Sequence, residues 1–169
     1  MIKNKKMTAI ILIITATLTA LIAGLFYAYS CSVNIGLRRL PDNEYVAAMQ
    51  AINDAILNPV FFMSFIGTLL FLPISVYLSY EKTAPMQFWI LLFAAAFYII
   101  GVFGVTVVGN VPLNDALAAV DLKSATPDEI TGARLNFEGP WNLLHTIRTV
   151  FSVLSLILVL LACVYDFKK

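Results

Sequence analysis

The chain has 169 residues, of which 60% are apolar and only 12% are charged, and its formal net charge is +1. Soluble domains carry about 25% charged residues, so this composition indicates an integral membrane protein with the lipid bilayer as its surroundings. The near-neutral charge, without clustered basic residues, excludes nucleic acid as a partner. The length has room for four membrane spans and two substantial loops.

Four apolar segments predict an all-α fold, an integral membrane four-helix bundle that forms one domain over residues 1–169. The spans are predicted at roughly 7–30, 58–80, 86–109 and 140–167. Asn58-Pro59 supplies an N-cap and a first-turn proline for the second span, and Pro73 inside it predicts a kink. Pro140 is expected to open the fourth span.

The two long loops are each predicted to contain a short amphipathic helix. In the first, Pro41-Asp42-Asn43-Glu44 signals a helix start, and apolar residues at 45, 46, 49, 52 and 56 predict about three turns. In the second, helix starts are predicted at Pro112 and at Thr126-Pro127. The link at 81–85 is too short for more than a tight turn, so both long loops lie on the same side of the membrane.

The distribution of lysines predicts the orientation. The termini and the short link hold Lys3, Lys5, Lys6, Lys82, Lys168 and Lys169. By the positive-inside rule both termini face the cytoplasm, across the plasma membrane if the protein is bacterial, and the long loops face outward. The apolar run from Thr8 to Ser30 exceeds the length of a secretion signal and predicts a retained anchor. Cys31 and Cys163 then lie at opposite faces, which argues against a disulfide.

The strongest candidate for chemistry is a stripe on the fourth span. Trp141, His145 and Arg148 share one helix face, because side chains at i, i+4 and i+7 nearly superpose. His145 is the chain's only histidine, and a cation at the lip of a membrane segment is costly unless it has partners or a function. Asn53, Asn58, Asn110 and Asn114 are predicted at the same outward level, and Gly101 and Gly104 permit close helix packing there.

Structural alternatives exist for each of these residues. Trp141 can mark the membrane interface, and His145 can be a hydrogen-bonded structural residue. Arg148 can snorkel outward or form an ion pair with Glu138 or Asp115. The asparagines can cap helices, whereas Ser152 and Ser155, further along the stripe, indicate either tight packing or a polar groove.

Several chemistries are excluded by residues that the sequence lacks. One histidine and no acidic residue deep in a span argue against a multi-histidine metal site or a bis-histidine haem, so we predict no metal and no cofactor. The chain has no P-loop and no dinucleotide fingerprint. It also lacks the intramembrane carboxylates that most proton-coupled transporters use.

At these residues the chain resembles the anthrone oxygenase-like membrane proteins, long catalogued as a domain of unknown function. The resemblance covers nearly the whole chain and rests on four elements: Gly24-Leu25-Phe26-Tyr27-Ala28-Tyr29-Ser30, Met49-Gln50-Ala51-Ile52-Asn53 with Asn58-Pro59, Gly104-Val105-Thr106 to Asn110-Val111-Pro112-Leu113-Asn114, and Trp141 with Arg148-Thr149. His145 departs from the asparagine expected in many relatives three residues before the arginine.

The resemblance implies an oxygenase that inserts oxygen at an activated methylene of a reduced polycyclic aromatic, without an evident metal or flavin. His145 would then take the C–H proton and Arg148 would stabilise the resulting anion. The substrate-binding set would be Asn110, Asn114, Trp141, Asn58 and Asn53. The other function considered is a non-enzymatic lipid- or quinone-binding accessory protein; the sequence leaves the oligomeric state open. A slot lined by Phe26, Trp141 and Phe103 would favour a ring-shaped hydrophobic small molecule, and a cleft open sideways would favour lipid.

Overall fold

The computed structural model describes residues 5–80 and 85–167, and this part of the chain is helical with no β-strand. Its helices are α1 (Lys5–Ala28), α2 (Asn34–Leu37), α3 (Asp42–Ala55), α4 (Pro59–Ser79), α5 (Pro85–Ala96), α6 (Val111–Ala118) and α7 (Pro127–Phe167). Wider π-helical segments join α1 to α2 over Tyr29–Val33, and α5 to α6 over Phe97–Gly104 and Thr106–Asn110. Four helical stretches of the described chain are long and apolar enough to cross a membrane, so the predicted all-α membrane bundle is confirmed.

The four spanning stretches form a closed ring. Both α1 and α5 pack against α4 and against α7, so each spanning helix has two neighbours. Polar bonds join the helices inside the ring: Tyr98 donates to the Phe65 carbonyl at 2.9 Å, and Ser155 donates to the Ala94 carbonyl at 2.9 Å. Such bonds hold membrane helices together where lipid offers no hydrophobic driving force. The buried core of the ring includes Leu12, Ile22, Phe26, Phe65, Leu72, Leu91, Tyr98, Val102 and Val159.

Three helical stretches extend further at the His145 end of the bundle than the sequence predicts. The first continues through a π-helical segment to Leu37, the third continues to Ala118, and α7 begins at Pro127. Pro140 therefore lies inside α7 instead of opening it. Its missing N–H leaves the carbonyl of Asn136 free, and Asn136 is exposed, so water can satisfy that carbonyl. Pro112 lies in the first turn of α6, as the sequence predicts, but α6 continues without a break from the π-helical segment that ends at Asn110.

These extensions pack into a cap at that end of the ring. The predicted helix of the first loop is α3, and it buries Tyr45, Val46 and Met49 against Leu117 and Phe137. The predicted start at Thr126 is also found, since Glu129 N–H donates to Thr126 Oγ1 and Thr126 N–H donates to Glu129 in a reciprocal capping box. The short link at residues 81–84, and Lys3, Lys82, Lys168 and Lys169, lie outside the described residues.

Arg134 clamps the cap together. Its guanidinium donates to Asp42 at 3.0 Å, to Glu138 at 2.8 Å and to the Leu40 carbonyl at 2.7 Å, and it lies 4.3 Å from the centre of the Tyr45 ring. The hydrogen bond from Thr131 and the nearby charge of Arg134 hold the pKa of Asp42 below its ordinary value. The clamp therefore stays ionised at neutral pH and fixes α3 over α7.

The contact of Gly101 with Phe151 tests the helix packing. A Cβ at position 101 would lie only 2.2 Å from Cγ of Phe151 in α7, whereas a Cβ at Gly24 would meet no atom within 4 Å. We expect Gly101→Ala to destabilise the protein by about 1–3 kcal/mol through overpacking. Gly24→Ala is the matched control and should be neutral or slightly stabilising, since alanine favours a helix. Thermal unfolding in detergent measures both; equal midpoints for the two variants would contradict this packing.

Candidate functional site

The stripe on α7 faces inward, at the level where the ring meets the cap. Trp141 is 3% exposed, His145 is 1% exposed and Arg148 is 9% exposed. The indole and imidazole rings stack with their centres 5.0 Å apart and their planes 10° apart. These side chains therefore do not mark a lipid interface but form one buried group on the inner face of α7.

Hydrogen bonds fix the proton on His145. Arg148 Nε donates to Nδ1 at 3.1 Å, and a guanidinium can only donate, so Nδ1 carries a lone pair. In the neutral ring the proton is then on Nε2, which lies 3.2 Å from the Phe26 carbonyl and 2.9 Å from Ser30 Oγ. Both ring nitrogens are occupied, and the imidazole joins α1 to α7.

The contact between Ser30 and His145 is not a nucleophilic dyad. In a serine hydrolase a carboxylate accepts from one imidazole nitrogen, so that the other can take the serine proton. Here a cation donates to Nδ1, and Nε2, the nitrogen near Ser30, already carries the proton. The group bound to the other imidazole nitrogen is thus the positively charged Arg148, whereas a serine hydrolase has a negatively charged carboxylate there.

Arg148 is a buried cation without an ion-pair partner in the described part of the chain. Its guanidinium carbon lies 4.5 Å from the centre of the Phe26 ring and 5.1 Å from that of Trp141, so two aromatic faces contact it. Glu138, one candidate partner, binds Arg134 at 2.8 Å and Arg38 at 3.6 Å instead. Asp115 is the other candidate, and no ion pair joins it to Arg148 either. Neither of the two ion pairs considered as a structural alternative for Arg148 is therefore present among the described residues.

A cavity of about 220 Å³ opens beside the guanidinium. Its wall is mostly aromatic and aliphatic, and none of the described residues that line it is acidic. Nη1 and Nη2 of Arg148 have no hydrogen-bond acceptor among the described residues. The lining residues are Leu25, Phe26, Tyr29, Ile52, Asn53, Ile56, Leu57, Phe61, Thr106, Val111, Asn114, Trp141, His145 and Arg148.

Two of the four predicted asparagines line this cavity. Asn114 accepts a hydrogen bond from Trp141 Nε1 at 2.8 Å, and Asn53 has a buried Nδ2 with no partner. Asn58 caps α4 instead, since its Oδ1 accepts from the backbone N–H groups of Val60 and Phe61. Asn110 is buried behind the cavity wall, where its Nδ2 lies 3.4 Å from the Trp141 carbonyl.

The cavity differs from the predicted slot in its remaining wall. Phe26 and Trp141 line it, whereas Phe103 packs in the core of the ring, 5.7 Å from Phe65. Ser152 and Ser155 do not reach it, because they donate to the carbonyls of Thr149 and Ala94. The serines therefore serve packing.

The π-helical segments supply residues that the sequence did not assign to the site. Tyr29 and Ser30 lie on the first of these segments, and Thr106 lies on the third. Tyr29 donates to Met49 Sδ at 3.1 Å, and its ring is 5.1 Å from that of His145. π-Helical turns are frequent at functional sites, but they leave no periodicity in the sequence that would reveal them.

The rim of the cavity is apolar and partly exposed. Leu57, which lines the cavity, is 64% exposed, and the lining residues Val111 and Leu25 are 40% and 38% exposed. These side chains come from the start of α6, the end of α1 and the link before α4. The opening therefore faces the surroundings of the bundle.

A family model described as anthrone oxygenase matches residues 60–158, more than half of the chain. No curated protein and no solved structure matches. The matched region carries Thr106, Asn114, Trp141, His145 and Arg148, although Asn53 and the α1 residues precede it. In the residues that the structure describes, no three His, Cys, Asp or Glu side chains are grouped as metal ligands would be. The chain belongs to the anthrone oxygenase family.

Proposed function

We propose that this membrane protein oxygenates a planar aromatic ketone that carries an activated methylene, and that Arg148 binds the ketone oxygen. The observation that carries the proposal is the Arg148 guanidinium, which lines an aromatic cavity and has no counter-ion among the described residues. A buried cation of this kind is costly unless an oxygen-bearing partner completes it. Membership of the anthrone oxygenase family supports the reaction class.

Arg148 would act by stabilising negative charge. When the methylene loses a proton, conjugation through the rings places the charge on the ketone oxygen, where the guanidinium can donate to it. A preorganised donor in a cavity that excludes bulk water stabilises such an oxyanion far more than solvent does. No described cavity residue has a carboxylate that could act as the base, so the methylene proton is assigned to a single water molecule in the cavity.

The carbanion then serves as the reductant, and dioxygen is the oxidant. One electron passes from carbon to O2, and the carbon radical and superoxide combine to form a C–O bond. The resulting peroxide takes up a proton, and loss of the second methylene proton then breaks the O–O bond. The methylene and O2 have become a carbonyl and one water. This balance needs no metal and no cofactor.

His145 is assigned to positioning Arg148 and not to proton abstraction. Its Nδ1 is already the acceptor for Arg148 Nε, and its Nε2–H faces α1. The proposal therefore replaces the base suggested by the sequence with a residue that fixes the direction of the guanidinium.

A second candidate function is a non-enzymatic lipid- or quinone-binding accessory protein. The observation that favours it is the exposed apolar rim formed by Leu57, Val111 and Leu25, which would admit an acyl or isoprenoid chain from the bilayer. Such a ligand would place its polar end at Arg148 and would remain unchanged.

For both candidate functions we propose the same location, the plasma membrane if the protein is bacterial. The lysine distribution predicts the termini in the cytoplasm and the cap outside. Ser124, in the loop before α7, is exposed in the cap. A cysteine there, in a variant with Cys31 and Cys163 replaced by serine, should react with a membrane-impermeant maleimide added to intact cells. Labelling only after the cells are lysed would contradict this orientation and indicate that the cap faces the cytoplasm.

Oxygen uptake by the purified protein tests the oxygenase directly. With anthrone as substrate, we expect one O2 consumed per carbonyl formed, at a rate above that without protein. Arg148→Gln should lower kcat by about 10²–10³-fold, as loss of an oxyanion donor does. Arg39→Gln, at an exposed position away from the cavity, is the control and should match the wild type. Uptake no faster than the uncatalysed rate would refute the oxygenase, and tight binding of an unaltered quinone would then favour the second candidate.

His145→Asn separates positioning from base catalysis. An asparagine can accept from Arg148 Nε and donate toward α1, but it cannot act as a base near neutral pH. We expect His145→Asn to retain kcat within a few-fold, and His145→Leu to lose about 10²-fold, since the guanidinium then loses its anchor. The pH profile of kcat/KM should keep its shape in His145→Asn. If His145→Asn is as inactive as His145→Leu, the positioning role is contradicted and base catalysis by His145 is favoured instead.

A further inference from the structure

We propose that Asn114 is a specificity-determining residue that binds a second oxygen acceptor of the ligand, in addition to the oxygen held by Arg148. This inference rests on the proposed function, because it names a further feature of the ligand bound at the same site. It predicts that the ligand is a fused aromatic ring system with two oxygen acceptors at separate ring positions.

The direction of the Asn114 amide is set by Trp141. The indole N–H can only donate, so the Asn114 atom at 2.8 Å from Nε1 must be the carbonyl oxygen Oδ1. The amide nitrogen Nδ2 is then turned away from the indole. No described residue accepts a hydrogen bond from it, and Asn114 lines the cavity.

Trp141 is itself held in place, so the amide cannot easily turn over. The indole is 3% exposed, and it stacks on His145 and on Phe137, whose ring centres lie 5.0 Å and 5.9 Å away. Rotating the Asn114 amide would leave the buried indole N–H without an acceptor, which is a larger loss than one ordinary hydrogen bond. Asn114 therefore presents a fixed donor to the ligand.

The other polar groups of the cavity wall also favour a ligand with oxygen acceptors. Asn53 Nδ2 is buried without a partner, and Arg148 has two free guanidinium nitrogens. The hydroxyls of Tyr29 and Thr106 already donate, to Met49 Sδ and to the Val102 carbonyl. The N–H donors without an acceptor among the described residues are thus those of Arg148, Asn53 and Asn114. A ligand with oxygen acceptors can bind to them.

One ring system can reach both donors. The Arg148 guanidinium carbon lies 5.1 Å from the centre of the same indole whose Nε1 binds Asn114. The guanidinium lies over the face of this indole and Asn114 lies at its Nε1 edge, so the two donors are at different parts of one aromatic side chain. A planar ligand bound against that side chain can meet both donors. A ligand with a single oxygen would leave the second donor without an acceptor.

Equilibrium binding to the purified protein under nitrogen tests the assignment. The probes are anthraquinone, which has two carbonyl oxygens and is the product that the proposed reaction forms from anthrone, and anthrone itself, which has one. We expect the wild type to bind anthraquinone about tenfold more tightly, the upper range for one neutral hydrogen bond. Asn114→Leu should bring the ratio of the two Kd values to about one. Asn136→Leu, at an exposed position of α7 outside the cavity, should keep the wild-type ratio.

A second variant keeps the test decisive if Asn114→Leu does not fold. Trp141→Phe retains an aromatic ring but removes the N–H that orients the amide, so it should reduce the ratio as well. Equal Kd values for the two probes in the wild type, or an unchanged ratio in whichever of these variants folds, would overturn the role of Asn114. Because binding needs no turnover, a tenfold ratio in a protein that consumes no oxygen would refute the oxygenase and leave the second acceptor site standing.

Discussion

The hydrogen bond from Arg148 Nε to His145 Nδ1 is the interaction on which the site depends. It directs the arginine along the inner face of α7, and it assigns the imidazole proton to Nε2, the nitrogen that faces α1. With Nε committed in this way, the two outer guanidinium nitrogens are left for the cavity. One side-chain pair therefore joins two spanning helices and presents a positive charge to an aromatic pocket.

The rest of the bundle supports that charge by excluding water. Trp141 and Phe26 cover the faces of the guanidinium, and the cap above them is held by Arg134, which binds Asp42 and Glu138. An ion in a medium of low dielectric interacts more strongly with an oxyanion than it would in water. The same exclusion of water makes the unpaired guanidinium costly to bury. The cost of burying Arg148 and its affinity for a ligand with an oxygen acceptor therefore both come from the low dielectric of the site.

Much of the fold follows from the sequence because its signals are local. Apolar length located the four spans, and the start signals at Pro41-Asp42 and Thr126-Pro127 located α3 and α7. Pro140 misled, because the burial of Ile130 and Phe137 in the cap carries α7 through the proline. The stripe of Trp141, His145 and Arg148 was readable from helical spacing. The proton position on His145 was not, because Phe26 and Ser30 are more than a hundred residues away, and neither were Tyr29 and Thr106, which π-helical turns bring to the cavity.

The protonation state of His145 tests the account most directly. It is the only histidine of the chain, so ¹⁵N spectra of protein labelled at histidine report this ring alone. We expect the His145 imidazole to be neutral near neutral pH, with the proton on Nε2 and with Nδ1 unprotonated and hydrogen-bonded. In Arg148→Gln the Nδ1 signal should move, because its charged donor is gone. A proton on Nδ1, or a doubly protonated ring in the wild type, would contradict the account.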